Sequence, residues 1–516
     1  MTRDEGVQQI QSDIHWDVAV IGGGATGLGI ALEATTRGYK TLLVEQSDFA
    51  KSTSGKSTKL IHGGVRYLAQ GNLKLVREAT IERGLLRRNA PHLVKDQTFI
   101  IPIYDRWQQF KYTIGLKMYD WIAGTQSFGS SVFIPRNKII QQLSNVNTDA
   151  LLGVVLYHDG QFDDARLAIN LAQTIADAGG TVVNYMQVTG LLKDERQKLS
   201  GLIVKDLETL AGYTIRARSV INATGVFVDD IIGMDNPAAG KSICVSQGAH
   251  IVVDKKFYPS PHALMIPRTS DGRVLFAVPW RNKVVIGTTD TPVKEASLEP
   301  LAMESEISFI LHTAGQYLTE KPQRSDVLSV FTGLRPLAAP KVEGQKTKEI
   351  SRSHKIVVSR SCLFTILGGK WTTYRKMGED MLNRIEKELH WPRKRSATAT
   401  LHIHGYAETT GNEYPISFYG SDYAAMRSTK DGGGWISDSL QISQAQVYWA
   451  VQHEMARTVE DVLSRRTRAL LMDARESMRM APAVAAIMAS ALGKNEAWIQ
   501  QQVADYCNLA LKYILK

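Results

Sequence analysis

The stretch that decides the fold is Trp16–Glu45, WDVAVIGGGATGLGIALEATTRGYKTLLVE. An apolar run, Val18–Ile21, enters the turn Gly22-Gly23-Gly24-Ala25-Thr26-Gly27, which opens an Ala/Leu-rich helix; a second apolar run, Thr41–Val44, ends on Glu45. Read as strand, turn, helix and strand, this is a βαβ dinucleotide fingerprint. Gly22 permits the tight turn, Gly24 lets the backbone approach a pyrophosphate, and Gly27 lets the helix pack on the strand. The helix N-terminus, bounded by Ala25 and Thr26, offers N–H groups and a positive dipole end to the phosphates. Glu45, 18 residues after Gly27, is placed to accept hydrogen bonds from an adenosine ribose.

The chain has 516 residues, so two or three domains are expected, and 44% hydrophobic residues supply the material for their cores. Cys244, Cys362 and Cys507 lie too far apart for a disulfide framework or a metal-ligand cluster, and no metal site is expected. The polar N-terminus has no signal-peptide core, and the late apolar run Ala481–Leu492 is too short to span a bilayer and carries Pro482. A protein that stays in a reducing compartment, and lies on a membrane rather than crossing it, is expected. The net charge of +10 suits an anionic surface or substrate. Nucleic acid is not an expected partner, because no recognition module accompanies the scattered basic residues.

After Gln46 comes SDFAKSTSGKSTKLIHGGVRYL, Ser47–Leu68. Its GKST, Gly55–Thr58, echoes a P-loop, but the earlier glycine that a P-loop requires is Ala50. The stretch reads instead as a loop lying along the cofactor. Phe99–Gly124, FIIPIYDRWQQFKYTIGLKMYDWIAG, interleaves Trp107, Phe110, Tyr112, Tyr119 and Trp121 with Arg106, Lys111 and Lys117. Such a segment suits a membrane interface or, equally, a packed or subunit contact.

A second group of cofactor signals follows. Phe162–Arg166, FDDAR, reads as a capped helix start. Val188–Thr209 has hairpin character, and the strand Ser219–Asn222 meets Ala223-Thr224-Gly225. An apolar strand ending in ATG, after the first fingerprint, resembles a hallmark of two-dinucleotide-binding flavoproteins and points to FAD rather than NAD. Residues 243–335 alternate and are punctuated by Gly and Pro, as in an antiparallel cap. LFTILGGKWTTYRK, Leu363–Lys376, returns to the cofactor as a strand, Gly368-Gly369, and a helix start. From about Gln441 a helical module is expected, with Val451, Met455, Val459 and Val462 on one face and Arg457, Arg465, Arg466 and Arg468 elsewhere.

IGGGATG, STKLIHGGVRYL, DDAR, INATG, SQGAHIVV, GTTD, TGLRPL and GGKWTTYR occur in this order. With these motifs the chain resembles the respiratory FAD-dependent glycerol-3-phosphate dehydrogenases over roughly Asp17–Met377, and more weakly through TVEDVLSRRTRALLMDA, Thr458–Ala474. The resemblance implies an α/β two-dinucleotide-binding, Rossmann-like domain (1–240 and 345–390), an antiparallel β substrate cap (241–344) and an α-helical C-terminal domain (391–516). It implies oxidation of sn-glycerol 3-phosphate to dihydroxyacetone phosphate by hydride transfer to FAD, with electrons passed to membrane quinone.

By the same resemblance Arg66, Tyr67, Arg335, Lys370 and Thr373 contact substrate, and Arg335 and His250 act in catalysis. His250 is favoured over His62 as the base. The expected cofactor contacts comprise Gly22, Gly24, Ala25, Thr26, Gly27 and Glu45, then Ser52, Thr53, Ser57, Thr58, Lys59, Leu60 and His62. Val188, Ala223, Thr224, Gly225, Gly369, Lys370, Trp371 and Thr372 complete them. Gly55-Lys56 departs from the small residues common in relatives, leaving the contacts there open. Related oxidases pass electrons to oxygen but usually carry an insertion that is not evident here, which favours quinone. An amine or amino-acid oxidase of the same fold, or a non-catalytic flavin-binding scaffold, is the competing reading. A peripheral seat on the cytoplasmic, inner face of the cell membrane, on anionic lipid, is expected, as is a homodimer formed through the C-terminal module.

Overall fold

The computed structural model describes residues 1–68, 71–267, 269, 272–339, 353–408, 414–429 and 434–516, without the side chains of Arg66, Tyr67 and Ile416. The opening stretch folds as strand His15–Ile21, helix Ala25–Thr36 and strand Thr41–Val44. Side-chain alternation along these strands divides two cores. Val18, Val20 and Leu43 face the helices, whereas Ala19, Ile21, Leu42 and Val44 face the opposite side. Strand His15–Ile21 pairs in parallel with Thr41–Val44 and with Gly212–Asn222. Strands Leu363–Leu367 and Thr181–Val183 extend the sheet in parallel on its two sides. Helices Asp164–Asp177 and Tyr374–Glu388 flank Ala25–Thr36 on the first face. The expected hairpin forms from Met186–Lys193 and Leu199–Asp206, and its apolar residues join the second core.

The second sheet has ten strands. Its longest pair, Ile243–Asp254 and Val327–Ala338, lies at one end of the sheet, is antiparallel and places Ser246 opposite Arg335 and His250 opposite Phe331. The expected cap, 241–344, supplies only part of this sheet. Leu60–Ile61, Lys95–Ile103, Val132–Pro135 and Gly153–Gln161 come from the region assigned to the FAD-binding domain. The boundary at 240 therefore does not separate cap from cofactor domain: Ala263–Ile266 pairs in parallel with Lys95–Ile103 and stitches the two stretches together. The boundary at 344/345 lies outside the described residues.

The C-terminal region is mainly helical, with Gln444–His453, Ala474–Leu492 and Glu496–Ala510 as its longer helices and a small hairpin, Trp435–Ser437 with Ile442–Ser443. The expected stripe Val451–Val462 is not one helix face, because helix Gln444–His453 ends before Met455. Nor do its arginines face solvent. Arg465, Arg466 and Arg468 are buried and run into the cofactor domain. Arg466 grips Asp48 with bonds of 2.6 and 2.9 Å, and Arg465 also donates to Asp48. Arg468 donates to Asp164 at 2.8 Å and to the Gly55 carbonyl at 2.7 Å. Burial alone would raise the Asp48 pKa, but the two guanidiniums outweigh it and hold the carboxyl down to about 2.

Two stability predictions follow from this junction. Arg466→Leu removes one of the two guanidiniums that neutralise the buried Asp48 carboxylate and should cost about 3–5 kcal/mol in urea unfolding. At the edge of the junction, His404 bridges Asp177 at 2.6 Å and Asp422 at 3.0 Å. Burial lowers its pKa, but the hydrogen bonds and charges of the two aspartates win, so the folded value is raised. The contribution is therefore complete below the unfolded value of about 6.5 and fades as pH rises through the folded pKa. His404→Asn should lower the melting temperature at pH 6, by about 0.5–1 kcal/mol in stability, and by less at pH 9.

Candidate active site

Two cavities meet at Thr53, Pro336 and Gly368–Trp371. The first, of about 260 Å³, lies at the C-terminal edge of the parallel strands. It is lined by expected cofactor residues: Gly22, Gly24, Ala25, Thr26, Glu45, Ser52, Thr53, Val188, Ala223, Thr224, Gly225, Gly369, Lys370 and Trp371. Its construction fits a dinucleotide. Gly22 has φ +109°, and a Cβ on Gly27 would stand 1.8 Å from the Gly22 carbonyl oxygen, so turn and helix can approach only with glycine at both. Gly24 begins the helix with no side-chain cap, and Ala25 N–H finds Ser54 Oγ at 2.9 Å. Glu45 accepts from Gly23 N–H at 2.6 Å and Ser47 N–H at 2.9 Å, bonds that fix its carboxylate at the cavity wall.

The second cavity, of about 780 Å³, collects Ser57, Thr58, Leu60, His62, His250, Arg335 and Thr372 together with Gly369–Trp371. Arg335 lies near the end of its strand and is aimed by Asp290 at 3.2 Å, Thr288 Oγ1 at 3.0 Å and the Thr289 carbonyl at 3.0 Å. Behind it, Glu306 accepts from Thr289, Thr291 and Gln247, which fixes the turn that holds Arg335. Lys370 occupies the turn between strand Leu363–Leu367 and helix Tyr374–Glu388. Lys56 and Arg273 also line this cavity, so four cations share it with Asp159 and Asp290.

His250 is buried and stacked on Phe331, with ring centroids 4.7 Å apart, and its Nε2 is 2.9 Å from Thr58 Oγ1. Burial, then the charges of Arg335 and Lys59, push its pKa well below 6.5, so the imidazole is neutral at neutral pH. Burial likewise pushes His62 down to about 4. A neutral imidazole beside cations can accept a proton while the cations hold an anion.

The structure moves some expected contacts away from the cavities. Lys59, at φ +64°, turns its side chain into the core, where Nζ is 2.7 Å from Asp164 and 3.1 Å from the Gly55 carbonyl. Burial outweighs the Asp164 charge and brings its pKa down to about 8. Thr373 is also buried, and its hydroxyl bonds back to the Lys370 carbonyl at 3.3 Å rather than lining either cavity. Gly27 serves packing, not lining. Arg66 and Tyr67 fall on a described helix, Val65–Leu68, but their side chains lie outside the described residues.

The departure at Gly55-Lys56 has a physical reason. A Cβ on Gly55 would meet the Ala50 carbonyl oxygen at 2.4 Å, and Lys56 pairs with Glu299 at 2.7 Å. Residues missed from the sequence include Ser54, Arg273, Thr288, Asp290 and Glu306. GTTD flagged the segment holding Thr288 and Asp290, whereas Arg273 and Glu306 carried no local signal.

Residues 17–375 match the family described as FAD dependent oxidoreductase, and residues 365–499 match the C-terminal domain of alpha-glycerophosphate oxidase. The chain is 36% identical to the mitochondrial glycerol-3-phosphate dehydrogenase of Macaca fascicularis, over 99% of this chain and 75% of that protein. It is 33% identical to the Schizosaccharomyces pombe enzyme of the same name, over 98% and 89%. A solved glycerol-3-phosphate dehydrogenase from Bacillus halodurans, complexed with FAD, is 27% identical with a TM-score of 0.80, covering 99% of this chain and 98% of that one. L-alpha-glycerophosphate oxidase from Mycoplasma pneumoniae shares the fold at 14% identity and a TM-score of 0.58. With nearly its whole length matched and Gly22 and Gly24 of its fingerprint lining the cleft, the chain belongs to the FAD-dependent glycerol-3-phosphate dehydrogenases, within the FAD-dependent oxidoreductase family.

Proposed function

We propose that this protein oxidises sn-glycerol 3-phosphate to dihydroxyacetone phosphate and delivers the electrons to a membrane quinone. The observation that carries the reading is the second cavity, where four cations and a neutral histidine adjoin the dinucleotide cleft. The phosphate brings close to two negative charges at neutral pH. Arg335 offers a planar fork pre-aimed by Asp290 and Thr288, and Lys370 and Arg273 add charge around it. FAD, when bound, supplies the acceptor for the two electrons and hydrogen that leave carbon 2. The protein's part is to hold the alcohol, take the hydroxyl proton and stabilise the oxygen as charge grows on it. His250 takes that proton, and Arg335 stabilises the oxygen or the phosphate. Thr58 fixes the His250 ring through Nε2.

The same cavity carries an apolar wall of Val65, Leu75, Phe99, Met265 and Phe276, suited to a quinone ring. Leu75 comes from helix Leu73–Asn89, which packs on helix Arg106–Ala123. On the latter, Trp107 is 71% exposed and Trp121 81%, and Phe110, Ile114 and Met118 complete one exposed apolar face. Exposed Arg106, Lys111 and Lys117 accompany it. Among the described residues no helix is long and apolar enough to cross a membrane. An aromatic face with flanking lysines and arginines instead suits the surface of an anionic leaflet, the inner face of the cell membrane.

Anaerobic mixing of the FAD-loaded protein with glycerol 3-phosphate should bleach the flavin. Reoxidation should be fast with a soluble quinone analogue and slow with oxygen. Rapid oxygen reoxidation with peroxide would make it an oxidase instead, the activity named in the matched C-terminal family. His250→Asn should slow bleaching about 10²–10⁴-fold. Arg335→Ala should weaken apparent substrate affinity about tenfold to a hundredfold. Because His250 is held below its ordinary pKa, the acid limb of the bleaching rate should lie below pH 6.5. In co-sedimentation with phosphatidylglycerol vesicles, a Trp107→Ser/Trp121→Ser double variant should lose binding, and the wild type should lose it in high salt.

A further inference from the structure

The exposed apolar face of helix Arg106–Ala123 has a buried counterpart. Of its 18 residues only Leu116, Tyr119 and Ala123 are buried, all in the C-terminal half, and the first half meets the core through the half-buried Tyr112. Tyr119 ends in a closed polar hub. Its hydroxyl donates to Asp159, with Oδ1 at 3.0 Å and Oδ2 at 3.1 Å, and accepts from Gly63 N–H at 2.8 Å and Arg83 Nη1 at 3.1 Å. Arg83, from helix Leu73–Asn89, also donates to Asp159, and Gly63 N–H approaches Asp159 Oδ1 at 3.3 Å. Two helices, strand Gly153–Gln161 and the His62-Gly63-Gly64 turn thus converge on one hydroxyl.

This hub adjoins the cavity. Asp159, His62 and Gly64 line it, while Gly63 between them faces the hub. The fit allows no slack: a Cβ on Gly63 would stand 2.3 Å from Tyr119 Oη and 2.4 Å from Thr80 Cγ2. A shift of the helix by a few tenths of an ångström must therefore move the turn, because a close-packed interior passes displacement on rather than absorbing it.

We propose that Tyr119 is a positioning residue that transmits the seating of helix Arg106–Ala123 on lipid to the His62–Gly64 turn in the cavity wall. The transmission rests on the membrane reading above; the holding of the turn by Tyr119 does not. Lipid that fixes Trp107, Phe110, Ile114, Met118 and Trp121 fixes the face of the helix that the core leaves exposed. Tyr119, on the opposite side, then holds Gly63 and sets where His62 points.

Hydrogen exchange of the FAD-loaded protein, read at the peptide containing Gly63, tests this with mixed phosphatidylglycerol and phosphatidylcholine vesicles. In the wild type, vesicles should slow exchange at Gly63 several-fold and raise the rate of flavin bleaching without a matching change in KM. Tyr119→Phe should sediment with vesicles as the wild type does, yet lose both responses, and without lipid its Gly63 amide should exchange about tenfold faster. A wild type that sediments with vesicles while Gly63 exchange stays unchanged would overturn the transmission, and this arm needs no variant. Tyr119→Phe responding to vesicles like the wild type would overturn it as well. If the wild type does not sediment, the membrane reading and the transmission both fall. The positioning role then stands or falls on the lipid-free comparison, where equal exchange in Tyr119→Phe and wild type would overturn it.

Discussion

The loop that faces the cofactor cleft keeps its shape because of charges buried behind it. Asp164 gives one carboxylate oxygen to Arg468 and the other to Ser57 N–H, Ser57 Oγ and Lys59 Nζ, at 2.7 to 2.9 Å. Arg468 and Lys59 also share the Gly55 carbonyl. Three points of one short loop are thus tied to a single helix start and to one arginine from the C-terminal region. Nearby, Asp48 binds Arg465 and Arg466, and Glu454 binds Arg166 at 2.5 Å. Buried ions hold a fold only when each finds its counterion, so the cluster is tolerable intact and costly when broken. The C-terminal region for this reason braces the loop behind the cofactor site, and is not an appendage.

The inner faces of this loop bind charge, and its outer faces line the cavities. Thr53 belongs to both cavities, and Lys56, Ser57 and Thr58 to the second. Thr58 in turn meets His250, which hangs on strand Ile243–Asp254 of the cap sheet. The two sheets therefore touch the chemistry from opposite sides. The parallel sheet supplies the dinucleotide cleft and the Lys370 turn, and the cap supplies His250 and Arg335. Burial first, and the neighbouring cations after it, depress His250 and His62, so under the proposed function the same cations that would hold a phosphate help to keep the proposed base unprotonated.

Much of the cofactor half was legible in the sequence because its constraints are local. Strand alternation, the glycines at the tight approach and the ATG and GGKWTT turns each write themselves into a few neighbouring residues. The cap was legible only in part. Its strands at 60–161 join the sheet through long-range pairing, and no periodicity announces a partner 164 residues away, as in Phe99 opposite Ala263. Arg465, Arg466 and Arg468 read only as lying off the apolar face, since a basic residue looks the same in sequence whether water or Asp48 neutralises it. Lys59 was misplaced for a conformational reason: a left-handed backbone at that residue sends the side chain inward, and no residue type marks it. Glu306 acts on Arg335 through Thr289, a relation that exists only after folding.

The most direct test is an anaerobic crystal structure of the protein loaded with pre-reduced FAD, which cannot take the hydride, and soaked with glycerol 3-phosphate. The account predicts the phosphorus atom in the second cavity, with phosphate oxygens within hydrogen-bond reach of Arg335 or Lys370 and the polyol hydroxyls toward His250. Phosphate density outside that cavity, or a polyol with its hydroxyls turned away from His250, would contradict it.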